Sequence, residues 1–200
     1  MASTFSVSTM REAHLFDPKN IDILEMENRK VWQDPEEILK SVGTKPDLIA
    51  ADLGCGSGFF TVPLSRKVRR VYAIDIQKEM LDFLKEKVER LKIKNVELLL
   101  SKEDEIPLED ESLDLLISIN TLHEFGNKKR MIEEINRVLK YNGDALIVDF
   151  KKEDTRFGPP VAIRISKDSA IDFFEKKGFV TLQARMLSYH YLLVFRKKKV

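Results

Sequence analysis

The sequence predicts an α/β fold: a mostly parallel sheet covered by helices on both faces, a three-layer sandwich. Three observations predict it. Short apolar runs alternate along the chain with stretches whose apolar residues recur at helical spacing. The first such run, Leu48 to Leu53, is apolar on both faces and breaks into Gly54-Cys55-Gly56-Ser57-Gly58, which reads as strand, tight turn and helix start. The next run, Val71 to Ile74, ends in Asp75, a carboxylate at a strand terminus.

The elements follow in order. Asp17-Pro18 and Asp34-Pro35-Glu36-Glu37 each pair an N-cap with proline at the first helical position. The second opens a helix through Ile38 and Leu39 that stops at Gly43; residues 1 to about 16 have no period and read as a surface run. The first strand feeds a short helix from about Gly58 to Lys67. Beyond the second strand, Met80, Leu81, Leu84, Val88 and Leu91 form one helical stripe. Val96 to Leu100 is a third strand, followed by a polar loop closed at Pro107. Leu113 to Ile119 is the fourth, leading into Asn120-Thr121-Leu122-His123-Glu124-Phe125-Gly126. Met131, Ile132, Ile135, Val138 and Leu139 mark a helix for which Lys140 and Gly143 supply a late cation and a stop. Ala145 to Phe150 is the fifth strand, and the charged run from Lys151 to Pro160, too long for a plain connector, is a candidate substrate loop. A helix from about Lys167 to Lys177 stops at Gly178, and Phe179 to Met186 pairs with Tyr189 to Phe195 around Leu187 and Ser188.

Composition narrows the function. Two hundred residues suit one domain. Thirty-four Lys and Arg against 33 Asp and Glu leave a formal charge of +1, which creates no field that would gather nucleic acid. The single cysteine, Cys55, can form neither an internal disulfide nor a cysteine metal site, and fits a reducing compartment. No apolar run approaches the roughly 20 residues that span a bilayer, and Met1 to Met10 lack a signal peptide's basic start and apolar block. A cytoplasmic protein, monomer or homodimer, is expected, with Arg196 to Lys199 as a solvated end.

The glycine turn identifies the ligand class. A dinucleotide fingerprint would need glycine at position 59, where this chain has Phe59. Asp52, the Gly54-x-Gly56-x-Gly58 spacing and Asp75 together resemble motif I and the acidic second strand of the class I S-adenosylmethionine-dependent methyltransferases. The similarity extends over residues 35 to 197, and Arg137-Val138-Leu139-Lys140 is similar to the small single-domain group that includes quinone-biosynthesis enzymes. The resemblance implies a Rossmann-like, seven-stranded sheet of order 3-2-1-4-5-7-6 with the seventh strand antiparallel. It also implies S-adenosylmethionine as cofactor, S-adenosylhomocysteine as product, and one domain over 1–200: a helical lid segment at 1–47 and a catalytic core at 48–197. The segment before the first strand reads equally as a helix covering one sheet face.

The same resemblance distributes the cofactor contacts. Gly54, Gly56 and Gly58 would wrap the methionine and ribose, Asp75 would accept from both ribose hydroxyls, and Ile76 would pack on adenine. Asp52 would hold loop amides, reach the ammonium through water, or act as a structural cap. Lys102 and Glu103 stand where many relatives place an aspartate against the adenine amino group; lysine cannot accept, which leaves the Glu103 backbone or a nearby carboxylate. Asn120 would border the cofactor at the fourth-strand loop, and the absence of Pro-Pro-Tyr or Pro-Pro-Phe after it disfavours amide or adenine nitrogen as acceptor.

Catalytic chemistry falls to His123 and Glu124. A histidine can take a proton from a hydroxyl or acidic carbon near neutral pH, and a neighbouring carboxylate can orient a ring or pair with a basic substrate; alternatively His123 begins the following helix. Asp149, Lys151 and Lys152 are substrate contacts or a solvated rim, and Tyr189-His190-Tyr191 packs within the hairpin. Displacement at a sulfonium needs no proton on the leaving group, so alignment alone can carry much of the rate. A small-molecule acceptor is expected, against a protein or RNA acceptor or a non-catalytic cofactor-binding module.

Overall fold

A computed structural model describes residues 15–26, 29–155 and 157–199. The readings of Met1 to Met10, and of the N-terminal run up to residue 14, lie outside the described residues. Seven strands, β1 Ile49–Leu53, β2 Arg70–Asp75, β3 Val96–Leu100, β4 Leu113–Ile119, β5 Leu139–Phe150, β6 Phe179–Met186 and β7 His190–Lys197, form one sheet. Its order is β3-β2-β1-β4-β5-β7-β6, parallel through β5, with β7 antiparallel to both β5 and β6. The order and the antiparallel strand are those the resemblance implied.

Alternation along the central strands explains why they are apolar on both faces. Leu116, Ala145, Ile147, Leu193 and Phe195 point into a core capped by the helices α6 (Lys128–Val138) and α7 (Lys167–Glu175). Their neighbours Leu115, Ile117, Leu146, Val148, Leu192 and Val194 point the other way, onto α3 (Pro35–Leu39) and α4 (Thr61–Ser65). The helix α5 (Lys78–Arg90) packs its Leu81, Leu84 and Val88 stripe beside Ala73, while Leu91 is exposed just past its end. Two short helices, α1 (Ile21–Leu24) and α2 (Arg29–Trp32), precede α3. Both predicted caps are present: Asp17 accepts from Lys19 N and Asp34 from Glu36 N.

Three local expectations are corrected. Gly143 does not stop a helix: α6 ends at Val138 and β5 begins at once, because Leu139 pairs with Leu113 across a register shift. A Cβ on Gly143 would lie 2.9 Å from the Lys140 carbonyl oxygen, so glycine serves close strand packing. α4 covers only Thr61–Ser65 of the predicted helix. The basic tail is partly structural: Arg196 forms a two-pronged pair with Asp144, and buried Lys197 donates to the Leu139 carbonyl at 2.8 Å.

Chain direction across the sheet reverses between β1 and β4. From β1 the connections run outward to β2 and β3; from β4 they run the other way. A crevice opens there beyond the carboxyl ends of the strands.

Candidate active site

The turn after β1 is shaped by conformations that only glycine adopts easily. Gly54, Gly56 and Gly58 have φ of 73°, 49° and 79°. There is also no room for side chains: a Cβ on Gly54 would fall 2.4 Å from the Thr121 side chain, and one on Gly58 2.3 Å from Leu84. Asp75 is tied to this turn. Its Oδ2 accepts from Gly56 N and its Oδ1 from Gln77 N, both at 2.9 Å, so each oxygen retains a lone pair for another donor. Burial raises its pKa, and these backbone bonds oppose the rise. Ile76, beside it, is exposed and lines the crevice. Asp52 is buried, and its Oδ2 accepts from the Thr61 hydroxyl at 2.6 Å, fixing the start of α4; burial first, then nearby Asp75, pushes its pKa up to about 7 against the pull of Thr61. Lys102 lies on the rim and pairs with Glu105 at 3.2 Å, whereas the Glu103 carboxylate occupies the space a side chain on Gly126 would need.

Residues 15–26 and 29–33 lie along this crevice and are tied to it at several points. The Phe16 carbonyl accepts from Gln77 Nε2 at 2.9 Å. Glu25 accepts from Lys87 and from the Ser57 hydroxyl of the glycine turn. Gln33 and Asn120 exchange amide hydrogen bonds at 3.0 and 3.1 Å, and Gln33 Oε1 also accepts from Arg29 Nε. Asn120 takes part from a left-handed conformation, φ 60°. The Arg29 guanidinium lies 4.2 Å from the Phe59 ring centroid, and burial lowers its pKa to about 10. Phe59, the residue that excluded a dinucleotide fingerprint, is thus the platform for this arginine.

Across the reversal point stands a hydrogen-bonded pair. His123 Nδ1 is 2.7 Å from Asp149 Oδ1, and the His123 backbone N–H donates to Oδ2 at 2.9 Å. Asp149 also accepts from Phe150 N and is fully buried, which rules out the solvated rim considered for it. An ionised carboxylate only accepts, so Nδ1 carries the proton and Nε2 is left basic. Burial lowers the His123 pKa, but the hydrogen bond and charge of Asp149 outweigh it and the net shift is upward. Glu124 lies 3.8 Å from Nε2, and burial pushes its carboxyl up to about 7.

The loop after β5 is built around Arg164. Its guanidinium donates to the carbonyls of Lys151, Glu153 and Pro159 and to the Thr155 hydroxyl. Lys152 lines the crevice, whereas Lys151 turns to Glu153 at 3.4 Å.

These groups enclose one cavity of about 1660 Å³. Asp52, the glycine turn, Asp75, Ile76, Lys102, Glu103 and Asn120 line it, as do His123 and Glu124. All the candidate cofactor-binding and catalytic residues except Gly58 therefore face one space, and Lys152 lines it too, whereas Asp149 and Lys151 do not; its volume exceeds the roughly 300–1,000 Å³ of ordinary ligand pockets. The residues fit the implied cofactor: a carboxylate with free lone pairs suits a ribose diol, exposed Ile76 offers an apolar face, and Asp52, Asp75 and Glu124 suit a cation. Among the described residues, no group of three or more His, Cys, Asp or Glu side chains could hold a metal ion.

Sequence reading did not find Phe16, Arg29, Gln33 or Arg164, which belong to no local motif. Asp149 had a usable signal: like Asp75, it stands at the end of an apolar strand.

A methyltransferase-domain family model matches residues 51–147. The crystal structure of an S-adenosylmethionine-dependent methyltransferase from Aquifex aeolicus is 35% identical, with a TM-score of 0.86 over 90% of this chain and 98% of that one. This chain belongs to the S-adenosylmethionine-dependent methyltransferase family. Among curated relatives, an uncharacterized methyltransferase-like protein of Schizosaccharomyces pombe is 39% identical over 108 residues, 54% of this methyltransferase and 40% of that protein. The demethylmenaquinone methyltransferase of Bacillus mycoides is 28% identical over 130 residues, 64% and 54% of the two chains. The matches thus span about half the length of these curated relatives. Among the described residues of this methyltransferase, no helix is long and apolar enough to cross a membrane.

Proposed function

We propose that the chain moves a methyl group from S-adenosylmethionine to a hydroxyl or acidic carbon of a small-molecule acceptor, with His123 as base. The observation that carries this reading is the His123–Asp149 pair, whose histidine lines the same cavity as the glycine turn. Bound there, the cofactor supplies an electrophilic methyl group whose leaving group needs no proton. Asp75 would accept from the ribose hydroxyls, Ile76 would offer adenine an apolar face, and Lys102 and Glu103 would border the ring. The turn at Gly54, Gly56 and Gly58 would hold the methionine portion, with Asp52 and Asn120 flanking it. His123 Nε2 takes the acceptor's proton, Asp149 holds the tautomer, and Glu124 faces the imidazolium that forms.

In this reading, residues 1–47 are the lid segment and 48–197 the catalytic core of one domain. The ties at Phe16, Glu25 and Gln33 support a lid that excludes water. A cavity lined by such a strap favours a small acceptor over RNA or protein, and the lone buried Cys55 accords with a cytoplasmic setting.

Parallel titrations with S-adenosylmethionine and NAD test the cofactor. Saturable binding of the former alone is expected, weakened at least tenfold by Asp75→Ala. Labelled methyl groups should then appear in the small-molecule pool of a cell extract. No binding, or label confined to RNA or protein, would overturn the proposal.

A further inference from the structure

We infer that Trp32, Phe150 and Phe157 form a receptor for a flat aromatic ring of the acceptor, adjoining the His123 base. The inference rests on the proposed function, because it places the acceptor on the β4–β5 side of the cavity.

All three rings line the cavity, and each comes from a different element: Trp32 from α2, Phe150 from the end of β5 and Phe157 from the loop beyond it. Trp32 is the chain's single tryptophan. It lies parallel to His190, 4° apart with centroids 5.4 Å distant, edge-on to Tyr189, and 5.3 Å from Phe157. Phe150 packs 4.3 Å from His190 and meets His123 edge-on at 6.2 Å. The rings therefore make a continuous wall from the lid segment to the base.

Two features show that this wall is built. Gly158, at φ 112°, lets the loop lie against Phe150, where a Cβ would approach the ring to 2.6 Å. Behind the wall, His190 is fully buried and neither ring nitrogen has a hydrogen-bond partner among the described residues. Burial first, and then nearby Arg29, Arg164, His123 and Lys151, hold its pKa down to about 3, so it backs Trp32 as a neutral ring.

The surroundings define the ligand. Arg164 is occupied by loop carbonyls and presents no fork to a carboxylate or phosphate. Pro159, Pro160, Ala162 and Ile163 add apolar lining. Such a site favours ring faces over chains of equal size, and a hydroxyl on the ring edge would meet His123. The transfer then balances: the O–H proton passes to Nε2, the new bond joins methyl carbon to oxygen, and the sulfonium leaves as a neutral thioether.

Calorimetry on the full chain saturated with S-adenosylhomocysteine tests this with two probes, 2-naphthol and decahydro-2-naphthol, which share a carbon skeleton and hydroxyl but differ in π faces. The aromatic probe should bind at least tenfold tighter. Trp32→Phe should hold that preference within about threefold, whereas Trp32→Leu and, separately, Phe157→Leu should reduce it about tenfold. Product affinity measured on every variant controls for folding. Equal binding of the two probes, no saturable 2-naphthol binding, or unchanged preference in both leucine variants would overturn the receptor. Loss of S-adenosylhomocysteine binding by the unmodified chain would instead strike the proposed function beneath it.

Discussion

His123 and Asp149 are joined twice: the ring donates to one carboxylate oxygen at 2.7 Å and the backbone N–H donates to the other at 2.9 Å. The second bond fixes where the histidine begins and the first fixes its tautomer, so a residue on β5 sets the chemistry of a loop after β4.

Replacing Asp149 by asparagine should therefore impair chemistry more than binding. An amide can present its NH₂ to Nδ1 and drive the proton to Nε2, removing the base. A loss in kcat of about 10²-fold or more is expected, within the range for general base catalysis. S-adenosylmethionine affinity should change less than threefold. Single-turnover kinetics beside calorimetry separates the two, and loss of affinity in step with kcat would point to misfolding.

The pH dependence has a definite sign. Asp52 and Glu124 have folded pKa values near 7, above their ordinary 3.8 and 4.5, and His123 is shifted above 6.5. All three bind protons more tightly when folded, so their contribution to stability is greatest at low pH and is lost as pH rises through the folded values. The urea midpoint of the ligand-free chain should fall between about pH 5 and pH 8, and Asp52→Asn should flatten that fall. Activity should move oppositely, its acid limb lying above the ordinary histidine value of about 6.5 because His123 must lose its proton to act.

Gly58→Ala combines a left-handed backbone, φ 79°, with a Cβ placed 2.3 Å from Leu84. Destabilisation of at least about 1–3 kcal/mol is expected from the backbone alone. A thermal melt reads the stability loss, and cofactor titration should show weaker binding because the turn must shift. Gly43→Ala, where a Cβ meets nothing within 4 Å, serves as the control.

Arg164→Lys keeps the charge but loses the planar fork that gathers four carbonyls and a hydroxyl. A loss of about 1–2 kcal/mol is expected from partly buried carbonyls left without donors. Hydrogen exchange should rise across the loop after β5, the acceptor KM should rise, and cofactor affinity should hold. Unchanged exchange in that loop would refute the strut.

Much was legible without the fold because its causes are local. The turn at Gly54 to Gly58 is dictated by φ values and close approach that few residues tolerate, and Asp75 ends an apolar strand at a place where only a ligand or a loop could use it. The strands were legible as apolar runs, β5 only from Ala145 onward, α5 and α6 through side-chain period, and α7 through the glycine that follows it. Local cues failed where distant contacts decided. Gly143 looked like a helix stop until Leu113 and Asp114 claimed its neighbours for β5, and the basic tail looked solvated until Asp144 and the Leu139 carbonyl were brought beside it.

By itself the sequence determined the layer architecture, the glycine turn and the acid at the second strand end, since period, backbone freedom and charge act over a few residues. Only the tertiary structure decided that Gln33 grips Asn120 across 87 positions, that Asp149 is hydrogen-bonded to His123, and that Trp32 shares a wall with Phe150 and Phe157. Those pairings depend on which strand ends the sheet order makes neighbours, and hydrogen bonds and ring contacts act over a few ångströms in space, wherever their partners lie along the chain.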